Sequence, residues 1–144
     1  MTKVVFAIPG NLATETGGYA YDRRILRLLP SFGIDISHLE LPGSFPSPTP
    51  ADLVEAERRL SAVPADAALL IDGLALGAMP ADLLQRLNRR LIALVHHPLA
   101  LEAGLPESRK QELVASETAA LALCRHVIVT SPMTARLLAA EYAV

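Results

Sequence analysis

The sequence predicts an α/β domain: a doubly wound, all-parallel sheet of about five strands in the order 2-1-3-4-5, with helices on both faces. Three observations carry that prediction. Short apolar runs alternate with helical patterns from end to end of the 144 residues. Hydrophobic residues make up 51% of the chain and charged residues only 19%, a balance that suits strands buried on both faces. Cap-plus-proline signatures at Thr49-Pro50 and Ser131-Pro132 mark two helix starts.

The strands fall at Val4–Ile8, Ile34–Leu41, Ala67–Ile71, Leu91–Val95 and Val127–Thr130. The first helix places Tyr21, Ile25, Leu28 and Leu29 on one face and ends between Pro30 and Gly33, glycine being favoured past a helix C-terminus. The second begins Thr49-Pro50-Ala51-Asp52, with an acid in its first turn. A third fits Pro80–Asn88, a fourth Glu107–Arg125, and the last runs from Ser131-Pro132 to about Glu141. Pro42–Pro50 reads as an extended loop within a single domain.

Composition excludes several function classes. The longest apolar runs are too short to span a membrane, and Lys3 leads directly into a strand with no signal-like segment. A single cysteine, Cys124, permits no internal disulfide and suits a reducing compartment, so a cytoplasmic location is expected. The formal charge is −2, tryptophan is absent, and the basic residues come in pairs (Arg23-Arg24, Arg58-Arg59, Arg89-Arg90) that read as solvated helix faces and ends. Nucleic acid is therefore not an expected partner.

In such folds ligands bind beyond the carboxyl ends of the strands, where strand order reverses. That topology selects the loops Gly10–Gly18, Asp72–Gly77, His96–Gly104 and Ser131–Thr134. Gly17-Gly18 opens the first helix, where free N–H groups favour an anion; the alternative is a flexible turn. The spacing matches neither the dinucleotide fingerprint nor the P-loop. His96 and His97 end the fourth strand, placed for proton transfer or donation to a phosphate, or else as a structural pair. Adjacent strand residues point to opposite sides, so the two are not expected to share a metal, and no metal-ligand spacing occurs elsewhere. Asp72 caps the next segment or contacts a ligand; Ser131 reads first as a helix N-cap, and its helix can also present N–H groups to an anion. Cys124 reads as inert core. Glu102 and Glu117 have no acid partner at a catalytic spacing. No Gly-x-Ser-x-Gly elbow is present, which argues against a small hydrolase.

Four segments, in this order, resemble the N-terminal domain of retaining GT-B glycosyltransferases of family GT4. They are Thr16-Gly17-Gly18, Leu91–Val95 ending in His96, Glu117–Ala122 with Cys124-Arg125, and Val127–Ser131. The resemblance implies a Rossmann-like, acceptor-side domain whose partners are a nucleotide-sugar donor and a hydroxyl acceptor. It implies that His96 is the catalytic residue beside the transferred sugar, and that Gly17, Gly18, Tyr19, Asp72, His97 and Ser131 contribute to the donor-phosphate and substrate site. It implies no metal and no cofactor beyond the nucleotide-sugar substrate. The family's donor-binding domain, with its Glu-x7-Glu motif, has no counterpart before Val144. The 144 residues are thus expected to be inactive alone, with the C-terminal domain of the same enzyme as partner. The competing expectation is a non-catalytic flavodoxin-like module binding a small anion or a protein partner.

Overall fold

A computed structural model describes residues 2–144. Five parallel strands form one sheet in the order β2-β1-β3-β4-β5. They are β1 (Thr2–Pro9), β2 (Ile34–Leu41), β3 (Ala68–Asp72), β4 (Leu91–Val95) and β5 (His126–Val129). The helices are α1 (Gly17–Leu28), α2 (Pro50–Ser61), α3 (Gly73–Leu76), α4 (Ala81–Leu87), α5 (Glu107–Ala122) and α6 (Pro132–Glu141). The expected fold class and strand order are the observed ones; β2 and β4 have the expected bounds, and the ends of β1, β3 and β5 are displaced by one or two residues.

Period-two alternation sends the strand side chains to two unequal cores. On one face Ala7, Leu69, Ile71, Leu91, Ala93 and Val95 pack against α2 through α6. On the other, Phe6, Ile8, Leu70 and Leu94 are covered by Ile25 and Leu26 of α1 together with Leu12 and Tyr19. Among the described residues, no helix is long and apolar enough to cross a membrane.

Local chemistry sets the boundaries. Thr16, Thr49 and Ser131 each turn a side-chain oxygen onto the N–H three residues ahead, the N-cap geometry that fixes where α1, α2 and α6 begin. Asn88, in the left-handed region at φ 49°, closes α4. Helix α5 stops at Ala122, short of the expected Arg125, because the Arg125 N–H already donates to the Leu91 carbonyl as β5 begins. The short α3 has no counterpart among the expected helices; Asp72 nucleates it by capping the Leu74 N–H.

The buried stripe of α1 also differs from the expected one. Tyr21 and Leu28 are 37% and 40% exposed, whereas Asp22 is fully buried. The helix is rotated so that Asp22, Ile25 and Leu26 face inward, because the Asp22 carboxylate finds an imidazole beneath it. The arginine pairs do more than face solvent. Arg23 donates to the Leu12 and Thr14 carbonyls and ties down the loop before α1. Arg89 binds the Pro64 carbonyl and Arg90 the Asp66 carbonyl.

Candidate functional site

At the carboxyl ends of β1, β3 and β4, where the strand order reverses, lies a cleft of about 220 Å³. Its walls are Thr16, Gly18, Tyr19, Asp72, Gly73, Leu74, His96 and His97. Parallel pairing sets Asp72, the last residue of β3, opposite Leu94, two residues before His96. Asp72 and His96 are thereby delivered to the same rim.

The chemistry centres on His96. Its Nε2–H donates to Asp22 Oδ1 at 2.9 Å, and Nε2 lies 3.5 Å from Asp72 Oδ2. Both aspartates are fully buried, and the Oδ2 atom of each has no hydrogen-bond partner among the described residues. Burial alone would lower the imidazole pKa, but the bonds to Asp22 and Asp72 outweigh it and push His96 up to about 9. The site therefore holds an imidazolium at neutral pH. Burial raises Asp22 to about 7, opposed by His96 and reinforced by Asp72. Burial also pushes Asp72 upward, yet the nearby His96 and Asp22 side chains and the Leu74 N–H win and hold it below the usual range. Two carboxylates facing one imidazolium leave one negative charge in excess, so Asp22 holds a proton below about pH 7 and is ionised where His96 titrates. The three groups titrate as one unit.

The same imidazole nitrogen and carboxylate oxygens all lie within 4.8 Å of one another, a donor set with dimensions suited to a divalent cation. With the ring protonated, the Nε2–H points into the gap between the nitrogen and Asp22 Oδ1, 2.9 Å apart. It supplies the positive charge that the buried carboxylates require.

The surroundings hold the ring in place. A Cβ added to Gly18 would lie 3.3 Å from His96 Cδ2, so the glycine lets α1 rest on the imidazole. Tyr21 meets the ring edge-on, centroids 5.5 Å apart at 79°. From the opposite side Thr134 Oγ1 donates to the His96 carbonyl at 3.3 Å, fastening the end of β4 to α6. The Tyr19 hydroxyl donates to the Pro9 carbonyl; burial, with Asp72 and Asp22 nearby, raises its pKa.

Of the residues singled out in the sequence, His96, His97, Asp72, Gly18 and Tyr19 share this cleft. His97 is exposed on the rim. Asp72 fills the capping role suggested for it, since Oδ1 caps α3, while Oδ2 faces His96. Gly17 stands just outside, and a methyl group on its Cα would have no described atom within 4 Å, so close approach is not what calls for glycine there. Ser131 is the N-cap of α6, accepting the Thr134 N–H at 3.1 Å, and lies outside the cleft lining. Cys124 is half-buried with its thiol on the Ala120 carbonyl. Sequence reasoning missed Asp22 and Tyr21. The signal for Asp22 was present: it precedes Ile25, Leu26 and Leu29 by three, four and seven residues, an acid set into an apolar stripe.

No family model and no curated protein matches the chain. Among solved structures it aligns with a 3-dehydroquinate dehydratase-like protein from Bifidobacterium longum, over 99% of this chain and 97% of that one, at 14% identity and a TM-score of 0.40. The expected membership of glycosyltransferase family GT4 is corrected by these findings: no family model matches the chain, and the aligned structure is described as 3-dehydroquinate dehydratase-like. The segments that suggested it have structural roles of their own. Thr16 and Ser131 are helix caps, Leu91–Val95 is a core strand, and Glu117–Ala122 supplies the core face of α5. A likeness this distant says nothing of activity.

Proposed function

We propose that this domain is the acceptor-side half of an enzyme that moves a sugar from a nucleotide-activated donor to an acceptor hydroxyl, with the cleft beneath α1 as one wall of its site. The reading rests on His96, whose imidazole is held against two buried aspartates at the switch point of the sheet, a pairing that favours the protonated ring. A ring kept protonated is a hydrogen-bond donor and not a base. With Nε2 engaged by the aspartates, Nδ1–H is the donor left for a ligand oxygen, on a sugar hydroxyl or a departing phosphate. The carboxylates behind the ring strengthen that donation.

Three features support this role. The N–H groups of Gly17 and Gly18, at the start of α1, are not used by the Thr16 cap, which serves Tyr19 and Ala20. They favour an anion such as the diphosphate of a nucleotide-sugar. Among the described residues, the only side-chain hydroxyls lining the cleft are those of Thr16 and Tyr19, both engaged with backbone groups. Positioning and charge stabilisation therefore suit the site better than covalent catalysis. Leu101, in the turn beyond β4, and Met133, in the first turn of α6, are 43% and 63% exposed, apolar surface suited to a second domain.

The same imidazolium and N–H groups also favour the second reading, a module that binds a small anion without transfer. Titrating the isotope-labelled chain by NMR with a nucleoside diphosphate, methyl α-glucopyranoside and inorganic phosphate separates the two. Sugar transfer requires that the diphosphate and the glycoside both move the Gly18, His96 and His97 signals, and that His96→Ala abolish the glycoside response. Inorganic phosphate acting alone selects the anion module. No response to any probe removes a ligand role for the cleft.

A further inference from the structure

The proposed site makes no use of Glu117, a carboxylic acid on α5 that is 1% exposed and lies among apolar side chains. Burying a carboxyl there costs several kcal/mol unless it does something in return. Its Oε1 accepts the Leu99 N–H at 3.1 Å, while Oε2 has no partner among the described residues. Space for it exists only because residue 77 is glycine: a Cβ there would lie 2.8 Å from Oε2 and 2.9 Å from Leu99 Cδ1. The preceding residue, Ser116, donates its hydroxyl to the Gly77 carbonyl at 2.7 Å. Two adjacent residues of α5 thus grip two different loops. Ser116 holds the segment after β3 at the end of α3, and Glu117 holds the segment after β4, three residues beyond His96.

Both loops line the cleft. Gly73 and Leu74 come from the first, His96 and His97 from the second. Leu74 packs against the cluster of Leu99, Ala100 and Leu113 that Glu117 anchors. We infer that Glu117 is a positioning residue, with Ser116 as its companion, fixing the β3 and β4 loops to α5 and so setting the separation of Leu74 from His97 across the cleft. This inference rests on the cleft being the ligand site, although its own geometry is testable without a ligand.

The carboxyl is well suited to being followed directly. Burial pushes its pKa up to about 7, opposed by the Leu99 N–H. The Tyr142 hydroxyl is the other titratable group whose electrostatics register Glu117, and burial raises it well clear of neutrality. In the free protein the Leu99 amide proton should shift with a midpoint near 7, and Glu117→Gln should abolish that titration. Because glutamine keeps the Oε1 acceptor, E117Q should leave the Leu74 and His97 signals in place. Glu117→Ala should displace both and weaken binding of the nucleoside diphosphate at least fivefold, with E117Q restoring it to within twofold.

The inference is overturned if E117A leaves Leu74 and His97 unmoved, or if E117Q disturbs them as much as E117A does. Should E117A fail to fold, the E117Q spectrum decides: Leu74 and His97 signals displaced in E117Q overturn it. If the wild-type chain binds no probe, the proposed function fails, while the loop shifts still judge the role of Glu117.

Discussion

Asp22→Asn is the substitution that most directly tests the site. It preserves the shape of the side chain and removes the charge 2.9 Å from His96 Nε2. In the wild-type chain the imidazole is raised from its usual 6.5 to about 9, equivalent to about 3 kcal/mol in favour of the protonated ring. Asp22 and Asp72 share that effect, and Asp72 at 3.5 Å is the more distant. Asp22 should account for at least half, so D22N should lower the His96 pKa by one unit or more, about 1.4 kcal/mol or greater. The sign for stability follows from linkage. A histidine whose folded pKa is raised contributes stability that is fully present below pH 6.5 and is lost as pH climbs through 9. D22N should therefore flatten the decline in unfolding free energy across that window. The assay is an NMR titration of the His96 Hε1 and Cε1 signals, supported by urea denaturation at several pH values. A His96 pKa that stays where it was in the D22N protein would refute the account of the cluster.

Three further expectations use other parts of the molecule. Gly77 has right-handed backbone at φ −65°, where alanine would ordinarily gain about 0.4–1 kcal/mol, but the methyl would meet Glu117 and Leu99. Overpacking should win, making Gly77→Ala less stable by about 1–2 kcal/mol in chemical denaturation, while Gly17→Ala, in open space, is neutral or slightly stabilising. Asp22 and Glu117, both raised to about 7, hold protons in the folded state that the unfolded chain releases near pH 4. Their contribution is lost as pH rises from about 4 to 7, so with His96 the melting temperature should fall steadily between pH 5 and 9; a rise over that range contradicts the assignment. Burial pushes the Cys124 thiol up to about 11, so a disulfide reagent at pH 8 should label the native chain about a hundredfold more slowly than free cysteine, and labelling at the free rate would show the site to be open.

The sheet was legible because its signals are local. Alternating apolar runs, the caps Thr16, Thr49 and Ser131, and the prolines after two of them need nothing beyond their near neighbours. Topology then pointed to His96, Asp72 and Gly18 without any motif. Asp22 escaped because its meaning depends on an imidazole 74 residues away. Read as a helix, residues 17–28 offer a hydrophobic stripe through Tyr21 as easily as through Asp22, and only the partner decides the rotation. Ser131 read correctly as a cap, and that local role keeps it from the cleft. The family resemblance failed for a related reason. Caps, core strands and a helix feeding a strand recur wherever a parallel sheet is doubly wound, so their order reports architecture more than chemistry.

The unequal cores bear on how the protein moves. The face under α1 rests on four fully packed strand residues, whereas the opposite face joins five helices in one continuous cluster. Helix α1 can therefore lift away without breaking into the larger cluster, and its amides should exchange with deuterium through a partial opening of the chain. Asp22 travels with that helix while His96 remains on the sheet. Each opening thus separates the ion pair and briefly returns the imidazole to solvent with one carboxylate partner fewer. A ligand gripping both the start of α1 and His96 would suppress the excursion, so protection of the α1 amides should report occupancy of the cleft in proportion to affinity.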